Sequence, residues 1–433
     1  MAAPAFAAQL AAACASIPEI TAAAAGPFLN FTVERAALAR AVVGAALEPN
    51  YGNANDGAGR TIVLDYSSPN IAKRFHVGHL RSTVIGAAVK RICEARGHRV
   101  VGINHLGDWG SQFGKLLTAL RRFGSEGALD AKGAAGEGIE YLQELYVNYH
   151  QEEKKGGNLE KELAAESRQW FLDLESGQEN EARRLWKKLT TISLAESDRI
   201  YKRLGVSFDE IRGESAYEKD LIPTIEQCKR SGKTRVSEGA LVIDVESREN
   251  PAEFDEKPAL LQTGDGTTLY LTRDLASVFY RKNTYDFWKA VYVVGNDQRD
   301  HFRELRLVVK RLGYSWWDDI VHADFGMLRL PQGKMSSREG RIVILNEVLE
   351  SAVERVREVI REKNAELVDR DIVAEQVGIG AVVFHDLKQD RRRDVVFRWE
   401  EVLNFDGETG PYCQYTHARL ASIVRKVGGR AQC

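Results

Sequence analysis

The sequence has few cysteines, and none of them lies in a metal-binding pattern. Its 433 residues include five, with no Cys-x-x-Cys pair and no histidine at zinc-finger spacing: Cys14, Cys93, Cys228, Cys413 and Cys433. This spacing argues against a structural zinc site and a disulfide framework, and it is typical of reduced thiols in an intracellular protein. We therefore predict no metal-ligating side chains.

Long apolar runs and targeting signals are also lacking. No run of about 18 apolar residues occurs, and the alanine-rich start, Met1–Ala25, carries no lysine or arginine. A membrane span needs such an apolar run, and secretory or mitochondrial signals need basic residues near the start of the chain. We expect a protein without a membrane segment in the cytoplasm, with a mitochondrial location as the alternative.

The chain lacks a large charge of either sign. Its 60 Lys+Arg residues face 62 Asp+Glu residues, for a net charge of −2. A globally basic coat that attracts nucleic acid from a distance is therefore excluded, although a local basic surface remains compatible. The hydrophobic share of 44% and the aromatic share of 9% exclude a disordered chain.

Local patterns predict an α/β fold. Thr61–Asp65 and Arg99–Ile103 are short β-branched runs on either side of a helical pattern at His79–Arg96. A strand, a loop, a helix and a strand in this order predict a βαβ unit of a parallel sheet. Strand signals return at 289–294 and 321–325, and from 345 onward the pattern is helical without a strong strand. Two predicted insertions lie between, mainly helices at about 114–200 and short strands at about 215–268.

The first chemical motif follows the first predicted strand. The run DYSSPNIAKRFHVGH (65–79) ends with His76, Gly78 and His79 at the start of the helix. Nucleotides bind at such turns, because helix N-terminal amides and imidazole donors stabilise phosphate oxygens. An equally weighted alternative is that the two histidines only cap the helix.

The second motif is GKMSSREG (333–340), far downstream. A lysine in a loop rich in glycine and serine can neutralise the charge of a triphosphate. Considered alone, an ordinary solvated turn is the better interpretation of Lys334, Met335, Ser336 and Ser337. The order and context of the two motifs decide against that alternative.

Together the two motifs resemble the ATP site of class I aminoacyl-tRNA synthetases. Several further stretches resemble the arginyl-tRNA synthetase family in particular: NHLGDWGSQFGKL (104–116), YLTRDLA (270–276), VGNDQRDHF (294–302) and FDGETGPYCQYTHARL (405–420). The resemblance covers residues 61–420. It implies a Rossmann-like parallel sheet catalytic domain with helical insertions, followed by the start of an α-helical anticodon-binding bundle.

The resemblance implies an arginine–tRNA ligase that uses ATP with Mg²⁺ and has the partners L-arginine and tRNA(Arg), and we expect a monomer. Arginine would be activated to arginyl-adenylate and then transferred to the 3′ end of the tRNA. His76, His79 and Lys334 are the implied catalytic residues. The implied ATP-binding residues are His76, Gly78, His79, Met327, Leu328, Lys334, Met335, Ser336 and Ser337.

An arginine substrate calls for carboxylates, because a guanidinium is planar, always charged and rich in donors. Tyr270 and Asp274 are four residues apart and could face one pocket. For Asp274 the alternative is a helix N-terminal cap. By resemblance, the arginine-binding residues are Asp65, Ser68, Pro69, Asn70, His79, Glu214, Tyr270, Asp274 and Gln298.

Contacts with tRNA are less well defined by the sequence. The basic and aromatic stretch at 388–399 could touch phosphates, but a solvated helix face is at least as good an interpretation. The segment at 411–426 resembles a tRNA-contacting part of the family. Its implied tRNA-binding residues are Tyr412, Gln414, Tyr415, His417 and Arg419.

The resemblance divides the chain into three parts. We expect a partial tRNA-contacting domain at 1–50, the catalytic domain at 51–344 and an incomplete anticodon-binding domain at 345–433. Because relatives extend further at both ends, we expect a chain shortened at both ends, with impaired tRNA recognition. Two alternatives follow: a non-charging module that binds arginine or ATP, and a small-molecule nucleotidyltransferase. Lys334, Tyr270 and Asp274 argue against the second alternative.

Overall fold

The computed structural model describes residues 2–250, 252–329, 343–396, 398–402 and 407–426. The chain forms two compact units. The first unit contains the residues up to 56, residues 95–97 and the residues from 419 onward. The second unit contains residues 57–94 and 98–418. The strands are β1 Ile20–Ala25, β2 Phe28–Val33, β3 Thr61–Asp65, β4 Arg99–Asn104, β5 Glu210–Ile211, β6 Thr234–Ser237, β7 Ala240–Ile243, β8 Ala259–Gln262, β9 Lys289–Tyr292, β10 Ile320–His322, β11 Leu328–Arg329 and β12 Val395–Val396.

Fifteen α-helices are assigned among the described residues. They are α1 Ala3–Ala13, α2 Arg35–Ala46, α3 Val77–Ala95, α4 Gln112–Phe123, α5 Glu126–Ala135, α6 Gly138–Glu153, α7 Gly157–Glu175, α8 Glu181–Leu204, α9 Glu218–Arg230, α10 Tyr270–Tyr285, α11 Arg299–Arg311, α12 Leu345–Lys363, α13 Arg370–Leu387, α14 Trp399–Val402 and α15 Gly410–Lys426. Among the described residues, no helix has the length and apolar character needed to cross a membrane.

The first unit contains a helix, a β-hairpin and a second helix. Strand β2 pairs with β1 in antiparallel register from Ile20 opposite Val33 to Ala25 opposite Phe28. Strand β1 was not predicted, because its sequence ITAAAA consists mainly of alanine, the strongest helix former. Pairing with β2 overrides that local preference. Gly26, in the turn between the strands, has a φ of +61°.

A five-stranded parallel sheet forms the centre of the second unit. Its strand order is β10-β9-β3-β4-β5. The predicted βαβ unit is confirmed, with the helix running from Val77 to Ala95 rather than from 79 to 96. In β3, Ile62 and Leu64 pack on one face and Val63 on the other, each at most 4% exposed. An uninterrupted apolar strand is typical of a parallel sheet covered on both faces.

The strand order places a crevice beside β3. From β3 the chain moves outward through β4 to β5, then returns to β9 on the opposite side of β3 and continues to β10. In open parallel sheets of this kind, ligands bind at the carboxyl ends of the strands where the order reverses. The ends of β3 and β9 therefore mark the expected site.

Helices occupy most of the described chain between β4 and β5, and short strands lie between α9 and α10. Helices α4–α8 pack around their own apolar core, with Leu117, Leu142 and Leu185 fully buried. Strands β6, β7 and β8 form a separate antiparallel sheet. After residue 345 the described chain is mainly helical, as predicted, but the short strand β12 pairs in parallel with β11. That pairing was not predicted, because two-residue strands leave no periodic pattern.

Candidate functional site

The two histidines of the first motif pack against each other at the start of α3. The backbone N–H of Gly78 donates to Nδ1 of His76, and the backbone N–H of His76 donates to Nδ1 of His79, both at 3.1 Å. Their ring centroids are 3.9 Å apart. Because each Nδ1 accepts a hydrogen bond, the proton of each neutral ring resides on Nε2. The capping alternative is therefore compatible with phosphate binding: Nδ1 caps the turn and Nε2–H remains a donor.

Both histidines are held in the neutral state. Burial lowers the pKa of His76 to about 4, and the positive charge of Lys73 acts in the same direction. Burial, His76 and Lys73 lower the pKa of His79 to about 3. At neutral pH the pair therefore supplies hydrogen-bond donors without net charge.

The loop after β3 is held in an unusual conformation. Ser67 and Ser68 have φ values of +71° and +50°, a region that costs free energy for residues other than glycine. Asn104 accepts a hydrogen bond from the N–H of Ser68 at 3.1 Å, and Asp65 accepts one from its hydroxyl at 2.6 Å. These contacts fix Ser68, one of the predicted arginine-binding residues.

Pro69 and Asn70 continue this loop against the chain that follows β4. The N–H of Gly107 donates to the carbonyl of Pro69 at 3.1 Å, and Asn70 is exposed. A Cβ atom at residue 107 would lie 1.8 Å from Oδ1 of Asn70. Glycine at 107 therefore permits the position of the Asn70 amide.

Asp65 has a partner within the protein. Its Oδ2 accepts a hydrogen bond from Nη2 of Arg281 at 2.7 Å, and both side chains are buried. With Ser68 on Oδ1, both carboxylate oxygens are engaged. Asp65 was predicted to lie close to arginine, and its contacts here are those of a residue that positions Ser68 and neutralises Arg281.

A second group of acidic and phenolic side chains surrounds the start of α10. Burial raises the pKa of Glu214 to about 7, the negative charges of Asp274 and Asp108 act in the same direction, and Arg273 opposes them. Tyr270 is 73% exposed, and its partial burial, Glu214 and Asp274 raise the pKa of its hydroxyl, while Arg273 opposes them. The predicted residues Glu214, Tyr270 and Asp274 thus lie close enough to influence one another electrostatically.

The alternative role of Asp274 as a helix cap is wrong. Helix α10 begins at Tyr270, and its N-cap is Leu269, which makes no side-chain cap. Asp274 lies one turn inside the helix, and its Oδ2 forms a short hydrogen bond with Nε2 of His301. Burial alone would lower the pKa of His301, but the contact with Asp274 outweighs it and raises the pKa. His301 therefore orients the Asp274 carboxylate.

The end of β9 faces the segment that follows β10. The N–H of Asn296 donates to the carbonyl of Phe325 at 2.9 Å, and a Cβ at Gly295 would lie 3.3 Å from Sδ of Met327. Met327 is 39% exposed, while Leu328 is buried. Gln298, predicted to bind arginine, lies exposed just beyond this contact, immediately before α11.

The residues of the second motif, Lys334, Met335, Ser336 and Ser337, lie outside the described residues. The described residues on either side of this motif make specific contacts. On one side, β11 pairs with β12. On the other, Ile344 bridges His76, and the carbonyl of Val343 accepts a hydrogen bond from the N–H of Val77 at 3.0 Å. The described chain therefore resumes directly against the histidine turn.

The predicted tRNA-binding residues lie on α15. Tyr412 and Tyr415, three residues apart, are 56% and 60% exposed. Gln414 donates to the carbonyl of Gln376 at 3.2 Å, and His417 and Arg419 are also exposed. These side chains are exposed to solvent, and their contacts within the chain do not identify a binding partner.

Several residues of the site were not predicted individually. Asp108 accepts hydrogen bonds from the N–H and hydroxyl of Ser215 at 2.9 and 2.6 Å, and so fixes the segment that carries Glu214. His105, Arg281 and His301 also belong to the cluster through their electrostatic contacts with Asp65 or Asp274. Three of these residues, His105, Asp108 and His301, lie in the segments 104–116 and 294–302. The resemblance therefore identified these segments but not the roles of the individual residues.

Within the described ranges, no group of three or more His, Cys, Asp or Glu side chains could hold a metal ion. The hydrogen-bond donors that the site presents are imidazole N–H groups, amides and hydroxyls. This set suits phosphate and carboxylate oxygens.

Comparison with known proteins agrees with this geometry. The family model described as tRNA synthetases class I (R), catalytic domain, matches residues 43–399. The arginine–tRNA ligase of Clostridioides difficile (strain 630) is 43% identical over 403 residues, 93% of this chain and 68% of that protein. The arginine–tRNA ligase of Enterococcus faecalis (strain ATCC 700802 / V583) is 45% identical over 403 residues, 93% of this chain and 69% of that protein.

Solved structures give the same result. The arginyl-tRNA synthetase of Thermus thermophilus superposes with a TM-score of 0.80 at 25% identity, covering 99% of this chain and 74% of that one. The Plasmodium falciparum arginyl-tRNA synthetase shares the fold, with a TM-score of 0.69. Because the family match spans most of the sequence and the curated relatives align with 93% of it, the chain belongs to the arginyl-tRNA synthetases, the (R) family of class I tRNA synthetases.

Proposed function

We propose that this chain is an arginine–tRNA ligase. In the first step a carboxylate oxygen of arginine attacks the α-phosphorus of ATP, and the bond to the β-phosphate breaks to release pyrophosphate. In the second step the terminal ribose hydroxyl of tRNA(Arg) attacks the arginyl carbonyl, and AMP leaves. Neither step needs a side-chain nucleophile, so the protein contributes positioning and charge stabilisation.

One observation carries this proposal: a pair of neutral imidazoles follows β3 at a helix N-terminus, and a carboxylate cluster lies near Asp65 at the end of the same strand, since both Asp65 and Asp274 act on His105. His76 and His79 offer Nε2–H donors to phosphate oxygens. Asp274, oriented by His301, and Glu214 offer carboxylates to a guanidinium. A site with phosphate donors at one end and guanidinium acceptors at the other fits arginine and ATP together.

The remaining site residues are assigned within this scheme. Ser68, Asn70 and Gln298 are proposed to bind the α-amino and carboxylate end of arginine. Met327 and Leu328 are proposed to contact ATP at the other side of the crevice, and Lys334 to stabilise the leaving pyrophosphate. Mg²⁺, which would be held by phosphate oxygens of ATP, would supply charge neutralisation there.

The wider assignments are proposals on the same basis. The parts 1–50 and 345–433 are proposed to contact tRNA, with Tyr412, Gln414, Tyr415, His417 and Arg419 among the contacts. We also propose that the protein is a monomer and works in the cytoplasm, where charged tRNA is consumed. A non-charging arginine/ATP-binding module is not favoured, since the named relatives that align with 93% of the chain are ligases.

The test is attachment of labelled arginine to tRNA(Arg), together with arginine-dependent exchange of pyrophosphate into ATP, with and without tRNA. Citrulline, which has the shape of arginine without its charge, and lysine serve as control substrates. We expect charging with arginine only. Exchange without charging would favour the non-charging module, and the absence of both from folded protein would refute the proposal.

A further inference from the structure

Arg81 is a fully buried cation on the same helix as the histidine pair. Its side chain is 1% exposed, and its Nε lies 3.1 Å from Oδ1 of Asp386 on α13, whose side chain is 4% exposed. Burial raises the pKa of Asp386 to about 6, and Arg81 acts in the opposite direction. A buried pair of this kind contributes little net stability against an apolar pair, so its retention calls for another explanation.

The rest of the guanidinium group binds backbone carbonyls. Nη1 of Arg81 donates to the carbonyls of Gly326 at 2.6 Å and Arg393 at 3.0 Å, and Nη2 donates to that of Arg391 at 3.4 Å. Three carbonyls from two distant segments thus converge on one side chain. Arginine suits this place because its planar fork carries several donors in fixed directions.

Those two segments hold each other as well as Arg81. The N–H of Gly326 donates to the carbonyl of Arg391 at 2.8 Å, and a Cβ at Gly326 would lie 2.2 Å from the Arg393 backbone. The N–H of Met327 donates to Asp394 at 2.8 Å, and the N–H of Val395 donates to the carbonyl of Met327 at 3.0 Å. Residues 326–328 therefore have little freedom to shift independently of 391–395.

We propose that Arg81 is a positioning residue that sets the distance between the two ends of the nucleotide site. It lies two residues after His79 on α3, and its fork fixes the backbone that carries Met327 and Leu328. One helix thereby holds the histidines directly and the Met327 segment through Arg81. This inference rests on the proposed function, in which His76 and His79 contact phosphates and Met327 and Leu328 contact the rest of ATP.

The same contacts join this site to the C-terminal helices. Asp386 lies on α13, and the 391–395 segment follows that helix in the chain. A displacement of α13 or of 391–395 would change the environment of Arg81 and, through Gly326, the position of Met327. Arg81 is thus one of the points at which the chain after residue 343 contacts the nucleotide end of the site, beside the contact of Leu345 with Phe75.

The test compares Arg81→Lys with a matched control on Arg203. Arg203 also joins the catalytic part to the C-terminal helices, through Glu350 and Glu375 at 2.7 Å, but it has no contact with 326–328. Arg81→Lys keeps the charge beside Asp386 and loses the fork. We measure KM for ATP, KM for arginine and kcat in pyrophosphate exchange, melting temperature, and amide hydrogen exchange of 324–329 and 393–396.

Arg81→Lys is expected to lower kcat/KM for ATP by about 100-fold, since misplacement by about 1 Å has effects of that order. KM for arginine stays within about twofold, because His301, Asp274 and Glu214 do not contact Arg81. Amide exchange of Met327 and Val395 accelerates. Arg203→Lys changes none of these.

Unchanged ATP kinetics in folded Arg81→Lys would overturn the inference, and so would equal losses for arginine and ATP. If Arg81→Lys does not fold, Asp386→Asn takes its place and is judged by the same split between the two substrates. If the wild type shows neither pyrophosphate exchange nor charging of tRNA, the proposed function fails. Amide hydrogen exchange alone then decides the role of Arg81, and unchanged protection of residues 326–328 in Arg81→Lys refutes it.

Discussion

The protonation of Glu214 gives a quantitative test of the guanidinium pocket. Burial, Asp274 and Asp108 raise its pKa from 4.5 to about 7 in the ligand-free protein. At about 1.4 kcal/mol for each pKa unit, the ionised form is disfavoured by roughly 3 kcal/mol. A bound guanidinium would favour the ionised form. Arginine binding is therefore coupled to release of a proton.

The sign and size of this coupling follow from the pKa. The ionised fraction of Glu214 is about one tenth at pH 6, one half at pH 7 and nine tenths at pH 8. Apparent affinity falls with the competent fraction, so the Kd for arginine should decrease about fivefold from pH 6 to 7 and about twofold from pH 7 to 8. For the ligand-free protein the sign is opposite: its free energy of unfolding decreases as pH rises from 4.5 through 7.

Isothermal titration calorimetry of arginine in two buffers of different ionisation enthalpy measures both quantities. About 0.9, 0.5 and 0.1 protons should be released at pH 6, 7 and 8. The contact with Asp274 raises the pKa of His301, so a positive charge beside Asp274 is lost as pH rises. Glu214→Gln separates the two groups, because its arginine Kd should be weaker and should lose the part of the pH dependence that Glu214 causes.

Glu175→Gln is the matched control. Glu175 is another carboxyl whose pKa is raised by burial and lowered by Arg273, but no interaction joins it to Asp274 or Tyr270. This variant should retain the full pH dependence of the wild type. A wild-type Kd that is flat between pH 6 and 8, or a Glu214→Gln variant with the wild-type slope, would refute this account of the pocket.

Three further substitutions test the other parts of the site. His76→Ala should lower the rate of pyrophosphate exchange roughly 100-fold with an unchanged arginine Kd by calorimetry; an equal loss of binding would contradict a phosphate role. His301→Phe should raise the arginine Kd about tenfold, since Asp274 loses a charge-assisted hydrogen bond, whereas His301→Gln should lose less. Asp65→Asn should lower the free energy of unfolding by about 3–5 kcal/mol in denaturant titrations, because Arg281 is left without its counter-charge. Adding Arg281→Met to this variant should restore part of the lost free energy of unfolding. If the losses of the two single variants simply add in the double variant, the pairing is contradicted.

The parallel sheet could be predicted where a strand carries its own signal. TIVLD and RVVGI are compact β-branched runs on either side of a helical pattern, and both became central strands. Strand β1 could not be predicted in this way, because its alanines favour a helix until a partner strand pairs with them. Strands β5, β11 and β12 have two residues each. Their existence depends on neighbouring segments that a local pattern does not contain.

The site residues also fall into those that the sequence could predict and those that it could not. His76, His79, Tyr270 and Asp274 could be proposed from motifs, because short spacings place them on one turn or helix face. Arg281 could not be proposed, since its partner Asp65 is 216 residues away in the chain. Such partners are brought together by the strand order and by α10 packing against β3, so only the folded chain shows them.

The buried Arg281 explains how the site can separate its carboxylates by role. A pocket for a cationic amino acid would be expected to avoid a cation of its own, yet Arg281 is 1% exposed beside Asp65, with its guanidinium 5.0 Å from the ring of Tyr292. The pair is electrically balanced, so Asp65 offers little attraction to a second guanidinium. Under the proposed function, the carboxylates left to attract the side chain of the substrate are Asp274 on α10 and Glu214, which precedes α9. Both carboxylate oxygens of Asp65 are already engaged by Ser68 and Arg281, so we infer that Asp65 acts on the substrate only through Ser68.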